Sequence, residues 1–469
     1  MNIKMKRRTF LNTLLAGAFS LACTQLGVRS GLLPSDDLPI IQNERRKAER
    51  EALRRSTWEG IFYDRKNRPL TIPTAVGQPS EVVDISVGNV IGYRTSTACD
   101  GLRKQCEEVL CYSSRKGGGQ GTQIHLTLDL ELQRKLYYDL VKGTNGCTIV
   151  YNCTTGGLLA AVSSRGETPY DVNRYCEKFD EFSKIPEFFY DPLYKKSAPG
   201  STVKIIPAWG LLRSNIVTQN TLNAPVFYDT NEYHGIHNAS PHYGETSLCD
   251  AVKKSLNTFF AWSAETIGIN DYLDICSRFG FEDDQPMCRI EVDGHPLGAT
   301  LGLTKDSPVE ELRQTGFGQG KLNVTPYNIV LWYALLAASP DARLWMPHTV
   351  EYFHDPESDA KDWGPEYEQC LPRAFFDDEL QEALRIPFAQ AAESYGLSHP
   401  DVTGIWGKSG TAETSTKGSN NIYLVFSFTT AHGGAYSALI CQNGVDGTSS
   451  LLKPKAKQML NDIMEVISC

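Results

Sequence analysis

The chain has 469 residues, enough for two or more domains, and its 41% hydrophobic and 22% charged content is that of an ordinary soluble globular protein. A net charge of −9, with no basic run beyond the N-terminus, excludes a nucleic-acid backbone as partner, because gripping phosphates needs a basic patch. No internal stretch is apolar for long enough to span a bilayer.

At the start, Lys4, Lys6, Arg7 and Arg8 precede a mostly apolar run from Phe10 to Ala22. A basic stretch before an apolar one is an export signal or an N-terminal anchor with the body outside the membrane, so residues 1–30 are set apart from the fold. Arg7-Arg8-Thr9-Phe10-Leu11 resembles a twin-arginine signal, and Ser20-Leu21-Ala22-Cys23 a partial lipobox in which Cys23 would carry the lipid. Setting Cys23 aside leaves 12 of the 13 cysteines, an even number compatible with disulfides in an oxidising compartment, although pairing is open. No Cys-x-x-Cys occurs, so no zinc or redox motif is indicated.

Residues 31–57 are polar and rich in Arg, Glu and Asp, as in a linker. Trp58 to Leu70 reads as strand, turn at Arg65-Lys66-Asn67, and strand. Ser114 to Gly121, with its glycine run, reads as a flexible connector, giving a short domain over 58–122 and a main domain over 123–469. In the main domain Asp129 is a candidate N-cap for a helix to about Lys142. Residues 146–152 and 157–163 read as a hairpin. Helical patterns follow over Ser201–Leu212, Ser247–Ile267, Asp271–Phe279 and Thr325–Ala338; Ile422–Phe428 and Ala435–Cys441 are strands, and Leu451–Ile467 is an amphipathic helix. An early hairpin, a helical middle, late strands and a final helix predict an α+β fold whose antiparallel sheet is built from both ends of the domain.

Three short motifs carry chemistry. Ser201-Thr-Val-Lys204 follows a Pro199-Gly200 turn and puts a hydroxyl and an amine three residues apart on one helix face, an arrangement for an activated nucleophile if the lysine loses its proton. The spacing alone is weak: it recurs at Ser113–Lys116, Ser358–Lys361 and Ser450–Lys453, and a serine in a first helical turn is ordinarily a cap. Ser255-Leu256-Asn257 is equally unspecific, since Ser419-Asn420-Asn421 also matches. Lys408-Ser409-Gly410-Thr411 is sharper, because Lys-Ser/Thr-Gly occurs once, at a strand edge where a glycine lets a ligand backbone approach. His234, His237 and His242 lack cysteine or carboxylate support at ligand spacing and read as loop histidines, so neither metal nor cofactor is expected.

Taken in order, Ser-x-x-Lys, Ser-x-Asn and Lys-Ser-Gly resemble the motif set of penicillin-binding proteins and serine β-lactamases. The resemblance to class B penicillin-binding proteins runs over residues 58–445: Gly60-Ile61-Phe62-Tyr63-Asp64-Arg65 is similar to the start of their pedestal, Thr127 to Gln133 to the opening of their transpeptidase domain, Pro169-Tyr170-Asp171-Val172-Asn173 to a Tyr-Asp-Pro-Asn stretch, and Gly318-Gln319-Gly320 with Thr325-Pro326 to two later motifs. The short pedestal resembles the small members. The resemblance implies a penicillin-binding transpeptidase fold and a peptidoglycan D,D-transpeptidase acting on stem peptides ending in D-Ala-D-Ala and acylated by β-lactams. It implies Ser201 as nucleophile, Lys204 as its base, Ser255 as proton relay, and Asn257, Lys408, Ser409, Gly410 and Thr411 as substrate-binding, with the Ser201 and Thr411 N–H groups as oxyanion hole. It further implies an extracytoplasmic body anchored by the N-terminal segment and a polytopic membrane glycosyltransferase as partner. The competing readings are a non-catalytic β-lactam sensor or wall-synthesis scaffold, and a serine β-lactamase, which would be shorter and need a deacylating glutamate.

Overall fold

The computed structural model describes residues 49 and 51–468, apart from 96–97, 114–118, 183, 186–188, 282–290, 294, 340–343 and 369–377. The N-terminal signal with Cys23, the linker before residue 49, and the first residues of the glycine-rich connector lie outside the described residues.

Strand β1 (Phe62–Tyr63) leads into the expected turn, in which Asp64 N–H donates to Arg68 O at 2.9 Å and Asn67 takes a left-handed φ of 58°. β1 runs parallel to β2 (Gln123–Leu126), which pairs antiparallel on its other side with Val350–His354. What is described of the connector is bonded back: Trp58 N–H donates to Gly119 O and Gly121 N–H to Trp58 O. Helix α1 (Leu130–Leu136) is capped by Asp129, whose carboxylate accepts from the Glu131 and Leu132 N–H groups. Arg68 bridges the two buried carboxylates of Asp64 and Asp129 at 2.7 Å each, fastening the early turn to the helix start. The helix expected to reach Lys142 instead widens into a π turn over Tyr137–Val141.

The expected hairpin is present as β3 (Asn145–Asn152) and β4 (Leu158–Arg165). The helical middle comprises α2 (Ile205–Arg213), α3 (Leu248–Lys254), α4 (Asn257–Ile267), α5 (Ile269–Arg278) and α6 (Pro326–Ala337). All twelve residues of α6 are buried, which explains a pattern apolar all round. After β5 (Val350–His354) comes α7 (Asp378–Ser394), a helix that the sequence reading did not anticipate. Then follow β6 (Val402–Glu413), β7 (Asn420–Thr430), β8 (Ala435–Val445) and α8 (Lys453–Ile467).

The main sheet has the order β6-β7-β8-β3-β4, antiparallel throughout, so late strands and the early hairpin share one sheet as predicted. β7 is interior and buried along most of its length, while β6 is an edge strand. α6 lies against β7 and β8, its Val330 carbonyl accepting from Ser437 Oγ at 2.7 Å. Cys147 and Cys441 face each other across β3 and β8 as free thiols. Among the described residues, no helix is long and apolar enough to cross a membrane.

Candidate active site

Three segments converge at the open edge of β6. The first is the turn around Ser201. Gly200–Lys204 winds as a 3-10 helix, and the α-helical part expected from Ser201 begins only at Ile205. Pro207 accounts for the change: it has no N–H for the Val203 carbonyl, and its ring would press on that oxygen in an α-helical turn. Residues three apart eclipse one another in a 3-10 turn, so Ser201 and Lys204 share a face. The helix type thus changes directly after Lys204.

Neighbouring backbone holds this turn. Gly200, at φ +54°, donates its N–H to Gly318 O at 3.0 Å. A Cβ on Gly318 would fall 1.9 Å from Gly200 O, so only glycine lets the two chains meet. Thr202 O accepts from the Tyr333 hydroxyl of α6 at 3.1 Å. Gly410 on β6 lies so close that a Cβ there would meet Pro199 O at 3.0 Å.

The second segment is the junction of α3 and α4. A single helix over 247–267 is expected from the sequence, but the structure breaks it at Ser255, which takes the left-handed conformation, φ 58° and ψ 46°. A non-glycine residue held there stores strain of order 1–3 kcal/mol, a pattern concentrated at functional sites. The break turns both oxygens of Ser255 toward Lys204. Lys204 Nζ donates to Ser255 O at 2.8 Å and Asn257 Oδ1 at 2.8 Å, and lies 3.2 Å from Ser255 Oγ. Asn257 is oriented in turn by its Nδ2–H donating to His237 O at 3.2 Å. The loop carrying His237 is pinned by Tyr233, whose hydroxyl donates to Glu265 at 2.7 Å. The Arg313 guanidinium grips Glu265 at 2.7 and 2.8 Å and holds its carboxyl down at about 2.

The third segment is β6 itself. Lys408 Nζ donates to Ser255 Oγ at 2.8 Å and to Ser409 O at 3.0 Å, so Ser255 joins the two lysines. Ser409 N–H points away from β7 and donates to the Tyr395 hydroxyl at 3.1 Å. By the two-residue repeat of a strand, Thr411 N–H faces the same open side. The Ser201 turn lies on that side, with a Cβ on Gly200 only 2.7 Å from Thr411 O. Thr411 Oγ1 accepts from Ser449 N–H at 3.0 Å.

Lys204 and Lys408 are wholly buried, and their hydrogen-bond partners among the described residues are oxygens of Ser255, Asn257 and Ser409, none a carboxylate. Burial holds the Lys204 ammonium well below the ordinary lysine range, with the Lys408 charge acting the same way. Burial, aided by the Lys453 charge, pushes Lys408 down to about 7. A neutral Lys204 that donates its two N–H bonds to Ser255 O and Asn257 Oδ1 keeps a lone pair for a hydroxyl proton. Ser201 Oγ makes no hydrogen bond among the described residues, so Ser201 and Lys204 share a face without being joined; such bonds commonly tighten only when substrate binds. The structure therefore brings together Ser201, Lys204, Ser255, Asn257, Lys408, Gly410 and Thr411, with the Ser409 side chain turned to Tyr395. Sequence reasoning missed Tyr395 and the His237 carbonyl: Tyr395 stands outside any motif, and a backbone carbonyl leaves no residue-type signal. Two cavities of about 300 and 360 Å³ lie elsewhere, beside Gln105 and Asp293, and include none of these residues.

Residues 146–465 match the family model of the penicillin binding protein transpeptidase domain. The chain is 25% identical over 368 residues to penicillin-binding protein 3 of Bacillus subtilis, covering 74% of this chain and 51% of that protein. It is 26% identical over 261 residues to the peptidoglycan D,D-transpeptidase MrdA of Escherichia coli, covering 49% and 38%. The chain thus spans about half or less of the length of these relatives. Among solved structures, the D,D-transpeptidase domain of a peptidoglycan glycosyltransferase from Eggerthella lenta superposes with a TM-score of 0.73 at 18% identity, covering 88% of this chain and 99% of that one. Penicillin-binding protein A of M. tuberculosis, an imipenem acyl-enzyme complex, gives 0.71 at 17% identity, covering 88% and 100%. With the family model matched across most of the main domain and the fold shared, the chain belongs to the class B penicillin-binding proteins.

Proposed function

We propose that the chain is a serine-type peptidoglycan D,D-transpeptidase that cross-links stem peptides ending in D-Ala-D-Ala and is acylated by β-lactams. The observation that carries this is the buried Lys204–Ser255–Lys408 bridge on the face of Ser201, free of carboxylates among the described residues. Ser201 Oγ attacks the penultimate D-Ala carbonyl as Lys204 takes the hydroxyl proton, giving a tetrahedral oxyanion. The N–H groups of Ser201 and Thr411 receive the negative oxygen, each such donor contributing ~3 kcal/mol of transition-state stabilisation. The proton passes from Lys204 through the Ser255 hydroxyl to the departing nitrogen, the C–N bond breaks, and free D-Ala leaves an ester on Ser201. An acceptor amine then attacks that ester, and the proton it sheds returns to Ser201. Asn257 orients the donor peptide, Lys408 supplies positive potential, and Ser409 and Thr411 bind its terminal carboxylate.

In the same proposal the short N-terminal domain serves as pedestal, the segment at residues 1–30 holds the body on the outer side of the cytoplasmic membrane, and a polytopic membrane glycosyltransferase supplies the glycan strands.

The test uses a stem pentapeptide with an acceptor amine. Wild type is expected to release D-Ala and form the amide, and Ser201→Ala, checked for folding by circular dichroism, to do neither and to resist a fluorescent penicillin. D-Ala release by Ser201→Ala at the wild-type rate would sink the assignment. Hydrolysis of penicillin at many turnovers would favour a β-lactamase, and absence of any turnover a sensor or scaffold.

A further inference from the structure

Lys453 belongs to none of the motifs assigned above; it ends Ser450-Leu451-Leu452-Lys453, one of the spacing matches that carried no weight alone. In the fold it opens α8, partly exposed, with its Nζ 5.2 Å from the centre of the Tyr395 ring. Just before it, Ser449 N–H binds Thr411 Oγ1, which ties the start of α8 to the substrate-facing edge of β6. No carboxylate lies within 4 Å of Lys453 among the described residues, and it is near enough for its charge to disfavour a proton on Lys408. Two cations held close together without an anion form a positive spot that a ligand carboxylate would neutralise.

Tyr395 supplies a second, independent pointer. It is only 9% exposed, and its hydroxyl oxygen accepts both from Ser409 N–H at 3.1 Å and from Ser409 Oγ–H at 3.3 Å. Those contacts occupy its lone pairs and leave its own proton to donate. No acceptor for that proton is found among the described residues. A buried donor without an acceptor is costly unless something completes it, and burial keeps this phenol protonated by raising it above its ordinary range.

We propose that Lys453, seated over Tyr395, recognises the terminal carboxylate of the acyl donor beside Ser409 and Thr411, and so sets the preference for anionic over neutral donors. The Tyr395 hydroxyl supplies one hydrogen bond and Lys453 the charge. This rests on the reading of the chain as an acyl-enzyme-forming transpeptidase.

The experiment compares acylation of the full chain by benzylpenicillin and by its carboxyl methyl ester, over a concentration range that separates saturation from limiting rate. Wild type, Lys453→Gln, Lys453→Arg and Tyr395→Phe are measured side by side. Lys453→Gln is expected to lower acylation efficiency toward the acid about tenfold, through weaker saturation, with a clearly smaller loss toward the ester. Lys453→Arg restores most of the loss, and Tyr395→Phe gives a smaller one of the same selectivity. Equal losses for acid and ester, or no loss in Lys453→Gln while wild type is acylated normally, would overturn the inference and leave the proposed function standing. If wild type is acylated by neither compound, the transpeptidase reading falls and this inference with it.

Discussion

At the scale of single residues, the proposed reaction depends on two lysines in opposite charge states. In that reaction Lys204 must be neutral to accept the Ser201 proton, and Lys408 must be charged to attract a carboxylate. Acylation efficiency therefore has two limbs. As pH rises through about 7, Lys408 loses its proton in the free protein and efficiency falls; on the acid side, Lys204 gains a proton and the base is lost. A bound carboxylate favours the Lys408 ammonium, so the alkaline limb of the limiting rate lies at higher pH than that of efficiency. Stopped-flow acylation measured across this range tests the account; a profile flat from about pH 6 to 9 contradicts it. Lys408→Ala, which removes the charge outright, is expected to lower efficiency about 10- to 100-fold, the size of one lost charged hydrogen bond. An unchanged acylation rate would remove Lys408 from anion recognition.

At the scale of elements, geometry comes from departures from regular structure. Pro207 imposes the 3-10 turn that stacks Ser201 over Lys204, and the left-handed Ser255 breaks what would be one helix. These departures are why the elements were only partly legible. A proline in a helix is visible in sequence and marks where its geometry changes, but nothing in Lys254-Ser255-Leu256 signals a left-handed residue, because tertiary hydrogen bonds to Lys204 hold it there. α7 escaped notice for a related reason: Pro387 sits inside it, and a proline ordinarily argues against a helix interior. Motif order, by contrast, was fully legible, since it depends on residue type and sequence alone. The close approach of Gly318 to Gly200 gives an element-scale prediction. Gly318→Ala would drive a methyl into Gly200 O, shift the Ser201 turn, and lower acylation by at least about tenfold, with melting temperature changed less than activity. Wild-type acylation by that variant would show that the contact does not set the turn.

At the scale of the whole molecule, the sheet is assembled from chain ends far apart in sequence, and the site sits on its late edge strand while the early hairpin forms its far side. The alternation of hairpin, helices and strands made this topology readable; the parallel pairing of β1 with β2 was not, because strands of two and four residues leave too little periodicity. The Asp64–Arg68–Asp129 cluster joins the early turn to α1, far from the reacting groups. Asp129→Ala removes a helix cap and one partner of Arg68 and is expected to cost about 2 kcal/mol of unfolding free energy. Urea unfolding would read that loss, while penicillin acylation at 25 °C stays near wild type. The central claim, that Ser201 is the nucleophile of a penicillin-acylated transpeptidase, is tested most directly by intact-protein mass spectrometry after benzylpenicillin treatment, followed by peptide mapping. The expected result is a persistent gain of one whole penicillin molecule on the peptide containing Ser201. No adduct, or an adduct carried by another residue, would contradict it.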